Sequence, residues 1–122
     1  MKAKTNLTML CDFYELTMAN GYFQTGLADR ICYFDVFYRS VPDKGGFALA
    51  AGLAQVVEYI QELRFDEEDL GYLRSKGCFS EEFLDFLRDF RFTGDIWAVP
   101  EGTPIFPGEP ILTVRAPAIQ AQ

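Results

Sequence analysis

The chain has 122 residues, 49% hydrophobic and 16% aromatic, which suits one domain with a modest core and excludes a disordered segment. Its net charge of -7 argues against nucleic-acid binding, because phosphate backbones are held by clustered Lys and Arg. There is no histidine, Cys11, Cys32 and Cys78 lack metal or redox spacing, and no apolar run nears the roughly 20 residues of a membrane span, so neither a zinc centre nor a spanning helix is expected.

Residues 1–30 read as a helical arm. Residues 1–9 lack the apolar core of a secretory signal. Asp12 is a candidate cap, with Glu15 three residues on in a capping-box pattern. Phe13, Leu16, Asn20 and Phe23 fall at helical spacing, and Gly26 is a plausible stop. Gly21, inside that helix, points to close packing. Residues 31–40 are the best strand candidate, rich in β-branched and aromatic side chains. Pro42 to Gly46 marks a turn, and 47–51 a short strand closed by Gly52. Leu53, Val56, Val57, Ile60 and Leu63 share one face of an amphipathic helix. Asp66 starts the next helix and Gly77 ends it. Ser80 starts another, with Phe83, Leu84, Leu87 and Phe90 inward.

From Thr93 the pattern changes. Short extended segments at 95–99, 103–107 and 110–115 are separated by Pro100-Glu101-Gly102 and Pro107-Gly108-Glu109-Pro110. That is the rhythm of a small β-barrel or folded-over sheet. The expected fold class is α+β: a mostly antiparallel sheet from 31–40, 47–51 and 95–115, with helices at 53–63, 67–76 and 80–89 beside it. The chain divides into the arm (1–30), a strand–helix part (31–92) and a β-rich part (93–122). Twelve Phe, six Tyr and one Trp exceed the needs of so small an interior, so some rings should face a partner. The cysteines are expected to be reduced, mostly buried thiols of a cytoplasmic protein.

Three segments could carry chemistry. Asp12, Tyr14 and Thr17 lie at a helix start, where a tyrosine could stack on a flat heteroaromatic ring and backbone N–H groups favour an anion. A capped helix with a half-buried Tyr is the plainer reading of the residues alone. Arg39 and Lys44 flank a Gly-rich turn that could hold phosphate or diphosphate, although it matches no P-loop or dinucleotide fingerprint. A surface turn with a salt-bridged Arg is the plainer reading of these residues alone. Glu101 and Glu109 could do acid–base work, but such residues more often tie turns down through backbone N–H groups.

Taken together and in order, several segments resemble the N-terminal domain of nicotinate phosphoribosyltransferases, within the type II phosphoribosyltransferases. They are 10–18 (Leu-Cys-Asp-Phe-Tyr-Glu-Leu-Thr-Met), 33–39 (Tyr-Phe-Asp-Val-Phe-Tyr-Arg), 45–53, 79–84, 90–103 and 108–112. The resemblance covers essentially the whole chain. It implies an enzyme that joins nicotinate to phosphoribosyl pyrophosphate, giving nicotinate mononucleotide and pyrophosphate with ATP hydrolysis, in NAD salvage. It implies a homodimer in which this domain of one subunit covers the mouth of an α/β barrel in the other. Tyr14 would then stack on the pyridine ring, Asp12 and Thr17 would support that wall, and Arg39, with Lys44, would meet phosphate oxygens.

The family's barrel, its ribose-phosphate loop and its phosphorylated histidine lie beyond the matched region. ATP and Mg2+ are therefore implied only for the full-length enzyme, no cofactor or metal is expected on this chain, and no residue here is assigned to catalysis. Ser40 departs from the basic residue common at its position in relatives. The isolated chain is expected to be inactive. Two alternatives stay open: a free-standing module docking on a full-length phosphoribosyltransferase, and a relative specific for nicotinamide.

Overall fold

The computed structural model describes residues 6–122; the first five residues of the expected arm lie outside the described residues. In chain order the elements are α1 (Phe13–Gln24), β1 (Ile31–Val36), β2 (Ala48–Leu49), α2 (Leu53–Glu62), α3 (Glu67–Ser75) and α4 (Glu81–Arg88). They continue with β3 (Asp95–Ala98), β4 (Pro104–Ile105), β5 (Leu112–Pro117) and α5 (Ala118–Ala121). The α+β expectation holds, with helices 53–63, 67–76 and 80–89 recovered within two residues at each end.

Helix ends follow their local chemistry. Asp66 accepts from the Glu68 and Asp69 backbone N–H groups at 3.0 and 2.9 Å, and Asp69 accepts from the Asp66 N–H at 3.1 Å, so a full capping box opens α3. Ser80 accepts from the Phe83 N–H at 3.2 Å and opens α4. Gly26 and Gly77 take the left-handed conformation just past α1 and α3, at φ 73° and 68°, where a side chain would be strained.

The expected capping box at Asp12 does not form. Asp12 has the extended backbone of a cap, but its carboxylate makes no cap bond. Glu15 faces a cavity beside Cys11 instead of reaching back. Close packing at Gly21 is likewise corrected, since a Cβ placed there meets nothing within 4 Å.

The strands form two sheets rather than one. β1, β5 and β3 make an antiparallel sheet in that order, and β2 pairs with β4. No barrel closes among the described residues. β1 ends at Val36, short of the expected residue 40, because its partner segment carries Pro107 and Pro110, which donate no hydrogen bond. Only the Gly108 N–H, to the Tyr38 carbonyl (2.9 Å), and the Ile111 N–H, to the Val36 carbonyl (2.8 Å), continue that pairing. The 103–107 segment turns to residues 48–50 instead, where the Ala50 N–H reaches the Thr103 carbonyl at 2.9 Å.

Strand alternation sorts the three-stranded sheet into two faces. On one, Phe34 stands opposite Val114 and Ile96, and Val36 opposite Leu112 and Ala98. On the other, Tyr33 stands opposite Arg115 and Asp95, and Asp35 opposite Thr113. Arg115 donates to the Tyr33 hydroxyl and to the Asp95 carboxylate, both at 3.1 Å, and Thr113 donates to Asp35 at 2.6 Å. Each bond joins directly opposed residues, the pairs that stabilise a sheet.

The core lies among the helices. Leu16 and Ala19 of α1, Leu70 and Leu73 of α3, Phe83, Leu84 and Leu87 of α4, and Phe90 just beyond it are buried together, with Ile119 of α5. The inward set expected around α4 is therefore as read from the sequence. Phe83 is fully enclosed and rests against Phe23, Phe79 and Phe86, at ring-centre distances of 5.6, 5.6 and 6.2 Å. This cluster absorbs part of the aromatic excess. Another part, including Tyr33, Phe37, Phe47, Trp97 and Phe106, is exposed.

The cysteines are free, but Cys11 and Cys78 are exposed and Cys32 only half-buried, so the expectation of mostly buried thiols fails. Cys78 sits in the turn after Gly77, and Cys11 in the bend ahead of α1, neither of which the core covers.

Candidate functional site

Helix α1 presents different residues to two sides. Leu16 and Ala19 turn into the core, while Tyr14, two residues before Leu16, cannot share their face. Tyr14 is 59% exposed, and Met18, one turn on, is exposed beside it. The Thr17 hydroxyl donates to the Tyr14 carbonyl at 3.0 Å, which holds Thr17 against the helix backbone next to the ring. Asp12 is exposed at the helix start. Phe13 packs edge-on to Phe79 at 5.8 Å and ties this end of α1 to the aromatic cluster. The tyrosine ring thus stands on an anchored helix with its outer surface open.

Arg39 and Lys44 follow β1 in the chain, before and at the end of a one-turn 3-10 helix at Pro42–Lys44. Asp43 and Lys44 are both left-handed there, at φ 58° and 57°, a conformation that costs a side-chain-bearing residue about 1–2 kcal/mol. A Cβ on Gly45 would come within 2.9 Å of Val41, so glycine lets this turn close. Arg39 and Lys44 are exposed and make no hydrogen bond or ion pair among the described residues, so the salt-bridged arginine expected of a plain turn is absent. No bond or ring contact joins Tyr14 to Arg39 or Lys44 among the described residues; only Tyr14 and Thr17 of the candidate set touch.

Glu101 plays the structural part. Its carboxylate accepts from the Gly52 N–H at 2.9 Å and from the Leu53 N–H, at the start of α2. Glu109 is exposed in its own turn.

Sequence reasoning missed a cavity of about 570 Å3 between α2 and the apolar face of the three-stranded sheet. Cys11, Glu15, Tyr59 and Glu101 lie on its wall. Although Cys11 is exposed as a residue, partial desolvation of its thiol against the cavity wall, then the Glu15 carboxylate, pushes that thiol up, and burial, then Cys11, does the same to Tyr59. Both groups stay protonated at neutral pH, which makes Cys11 a poor nucleophile. Period-two alternation in 31–36 and 112–117 was the available signal for the sheet face behind this space. Among the described residues no three of Cys, Asp and Glu converge as a metal site. Among them, too, no helix is long and apolar enough to cross a membrane.

Residues 9–122 match the family model of the nicotinate phosphoribosyltransferase N-terminal domain. The chain is 49% identical over 114 residues to nicotinate phosphoribosyltransferase pncB2 of Mycobacterium tuberculosis, covering 93% of this chain and 24% of that protein. It is 35% identical over 117 residues to nicotinate phosphoribosyltransferase of Bacillus subtilis, covering 96% of this chain and 24% of the relative. A crystal structure of human nicotinic acid phosphoribosyltransferase superposes with a TM-score of 0.80 at 36% identity, covering 89% of this chain and 22% of that one. The chain spans about a quarter of the length of the curated relatives it matches.

Proposed function

Because the chain belongs to the nicotinate phosphoribosyltransferase family, as its N-terminal domain, we propose that it supplies one wall of the nicotinate pocket in an enzyme that joins nicotinate to phosphoribosyl pyrophosphate. The products are nicotinate mononucleotide and pyrophosphate, with ATP hydrolysis coupled to the step in NAD salvage. One observation carries the assignment of the wall: the Tyr14 ring is 59% exposed on a helix anchored from its other side. A flat pyridine ring gains about 0.5–1.5 kcal/mol from an aromatic face beyond the area it buries.

In this reading Thr17 and Asp12 hold the wall, and Arg39, with Lys44, meets phosphate or pyrophosphate oxygens. The guanidinium of Arg39, exposed and without an ion pair among the described residues, supports that role, since Arg offers paired donors to phosphate. The proposal includes a homodimer, in which this domain covers a site on the partner. Exposed Tyr33, Phe37, Phe47, Trp97 and Phe106 are the kind of surface an interface covers. It also includes a cytoplasmic setting, with which three free cysteines agree. ATP and Mg2+ belong to the portion of the enzyme outside this chain, and no step here is routed through them.

The test compares Tyr14→Phe and Tyr14→Ala in the full-length enzyme. The Phe variant should keep KM for nicotinate within about twofold, whereas the Ala variant should raise it about tenfold, as loss of a stacked ring predicts. An unchanged KM in the Ala variant removes Tyr14 from the pocket. The 122-residue chain alone should form no nicotinate mononucleotide.

A further inference from the structure

Tyr38 stands where the chain leaves β1. Strand alternation puts it on the same side as Val36, where both line the cavity, and puts Arg39 on the opposite side. Tyr38 is half-buried and Arg39 exposed. The backbone is held here too, by the Gly108 N–H on the Tyr38 carbonyl at 2.9 Å. The Tyr38 hydroxyl donates to the Ile105 carbonyl at 2.7 Å, a bond that joins the end of β1 to the other sheet. Ile105 is buried in β4 and stands opposite Ala48 of β2. The loop 39–47 is thus tied to Ile105 at both ends, and Arg39 and Lys44 both lie within it. Inside the loop Asp43 and Lys44 are left-handed, and Gly45 closes against Val41. Strained backbone of this kind persists only where its surroundings hold it, and it gathers at ligand clamps. The Tyr38 ring lines the cavity as a phenylalanine would; what the hydroxyl adds is the tie to β4.

We propose that Tyr38 is a positioning residue for phosphate recognition: by tying the entry of the 39–47 loop to β4, its hydroxyl sets Arg39 toward phosphate or pyrophosphate oxygens before substrate arrives. The inference rests on the phosphate role proposed above for Arg39. A guanidinium on fixed backbone loses less freedom on binding than one on a loose loop, so the tie strengthens phosphate binding without touching the ligand. The gain is the same in the bound ground state and in the transition state, so its loss raises KM and leaves kcat.

Tyr38→Phe in the full-length enzyme tests it. KM for phosphoribosyl pyrophosphate should rise about fivefold, the worth of one hydrogen bond, with kcat and KM for nicotinate each within about twofold. Arg39→Ala should raise the same KM at least as much, and adding Tyr38→Phe to it should raise it no further, because Tyr38 acts through Arg39. An unchanged KM in Tyr38→Phe beside a raised one in Arg39→Ala overturns the inference and leaves the role of Arg39 standing. Effects that multiply in the double variant also overturn it. So does a Tyr38→Phe variant that lowers kcat and the melting temperature while both KM values hold, the mark of a purely structural hydroxyl. An unchanged KM in Arg39→Ala overturns both readings.

Discussion

Glu101 caps a helix that begins 48 residues before it: its carboxylate accepts from the Gly52 N–H at 2.9 Å, with Gly52 left-handed at φ 104°. The Pro100–Thr103 turn thereby satisfies donors that an α-helix leaves without internal partners. Loss of a capping acceptor costs about 1 kcal/mol. Glu101→Ala should therefore lower the unfolding free energy by about that amount, and Glu101→Gln, which keeps an acceptor, by less. Urea denaturation of both variants measures the difference.

Gly94 approaches β5 more tightly than any side chain would allow. A Cβ there would collide with the Ala116 Cβ and come within 2.5 Å of the Arg115 carbonyl oxygen. Backbone in the middle strand of a sheet cannot step aside cheaply. Gly94→Ala should destabilise by about 1–3 kcal/mol, whereas Gly21→Ala, in open space within α1, should stabilise by up to about 1 kcal/mol. Thermal unfolding of the two variants should move in opposite directions.

Acid sensitivity should arise at the junction of α3 and α4. Arg74 donates to Glu81 through two nitrogens, at 2.7 and 2.9 Å, and holds its carboxyl below the ordinary value. The Asp69 backbone N–H, and then Asn6, do the same for Asp66. In the unfolded chain both groups bind protons more readily, so their stabilisation is present above the ordinary carboxylate range, near pH 4, and is lost as pH falls through the lower folded values. The melting temperature should drop below about pH 4, with a shallower fall in Glu81→Gln. Both carboxylates are exposed, so 1 M salt should blunt the effect.

Phe83 and Tyr14 separate stability from site. Phe83→Ala empties the centre of the aromatic cluster and should cost about 3–5 kcal/mol. Tyr14→Ala removes a mostly exposed ring and should change stability by less than about 0.5 kcal/mol. Chemical denaturation of the 122-residue chain distinguishes the two, and a large loss from Tyr14→Ala would assign that ring to folding.

Where the determining chemistry is local, the sequence and the structure agree. Asp66, Ser80, Gly26 and Gly77 set helix ends through side chains or backbone freedom acting within a few residues. The helical spacing of Phe83, Leu84 and Leu87 needs only one turn-by-turn repeat to define an inward face, and that face is buried. The same spacing in α2 was equally legible but left open what the face meets. Asp12 with Glu15 has the letters of a capping box; Glu15 turns to the cavity, a long-range preference that local spacing does not encode.

The candidate site divides the same way. The run from Asp12 to Met18 by itself determined a helix start carrying an aromatic ring, and it lies within the 9–122 stretch that matches the family's N-terminal domain. Tertiary structure decided that the ring faces outward, that Arg39 has no partner among the described residues, and that β4 leaves its neighbours to pair with β2. It also decided that α2 and the sheet stand apart around a void. The physical reason is range: caps and periodicity act over three or four residues, whereas partner choice, burial and unfilled space depend on which distant surfaces come together.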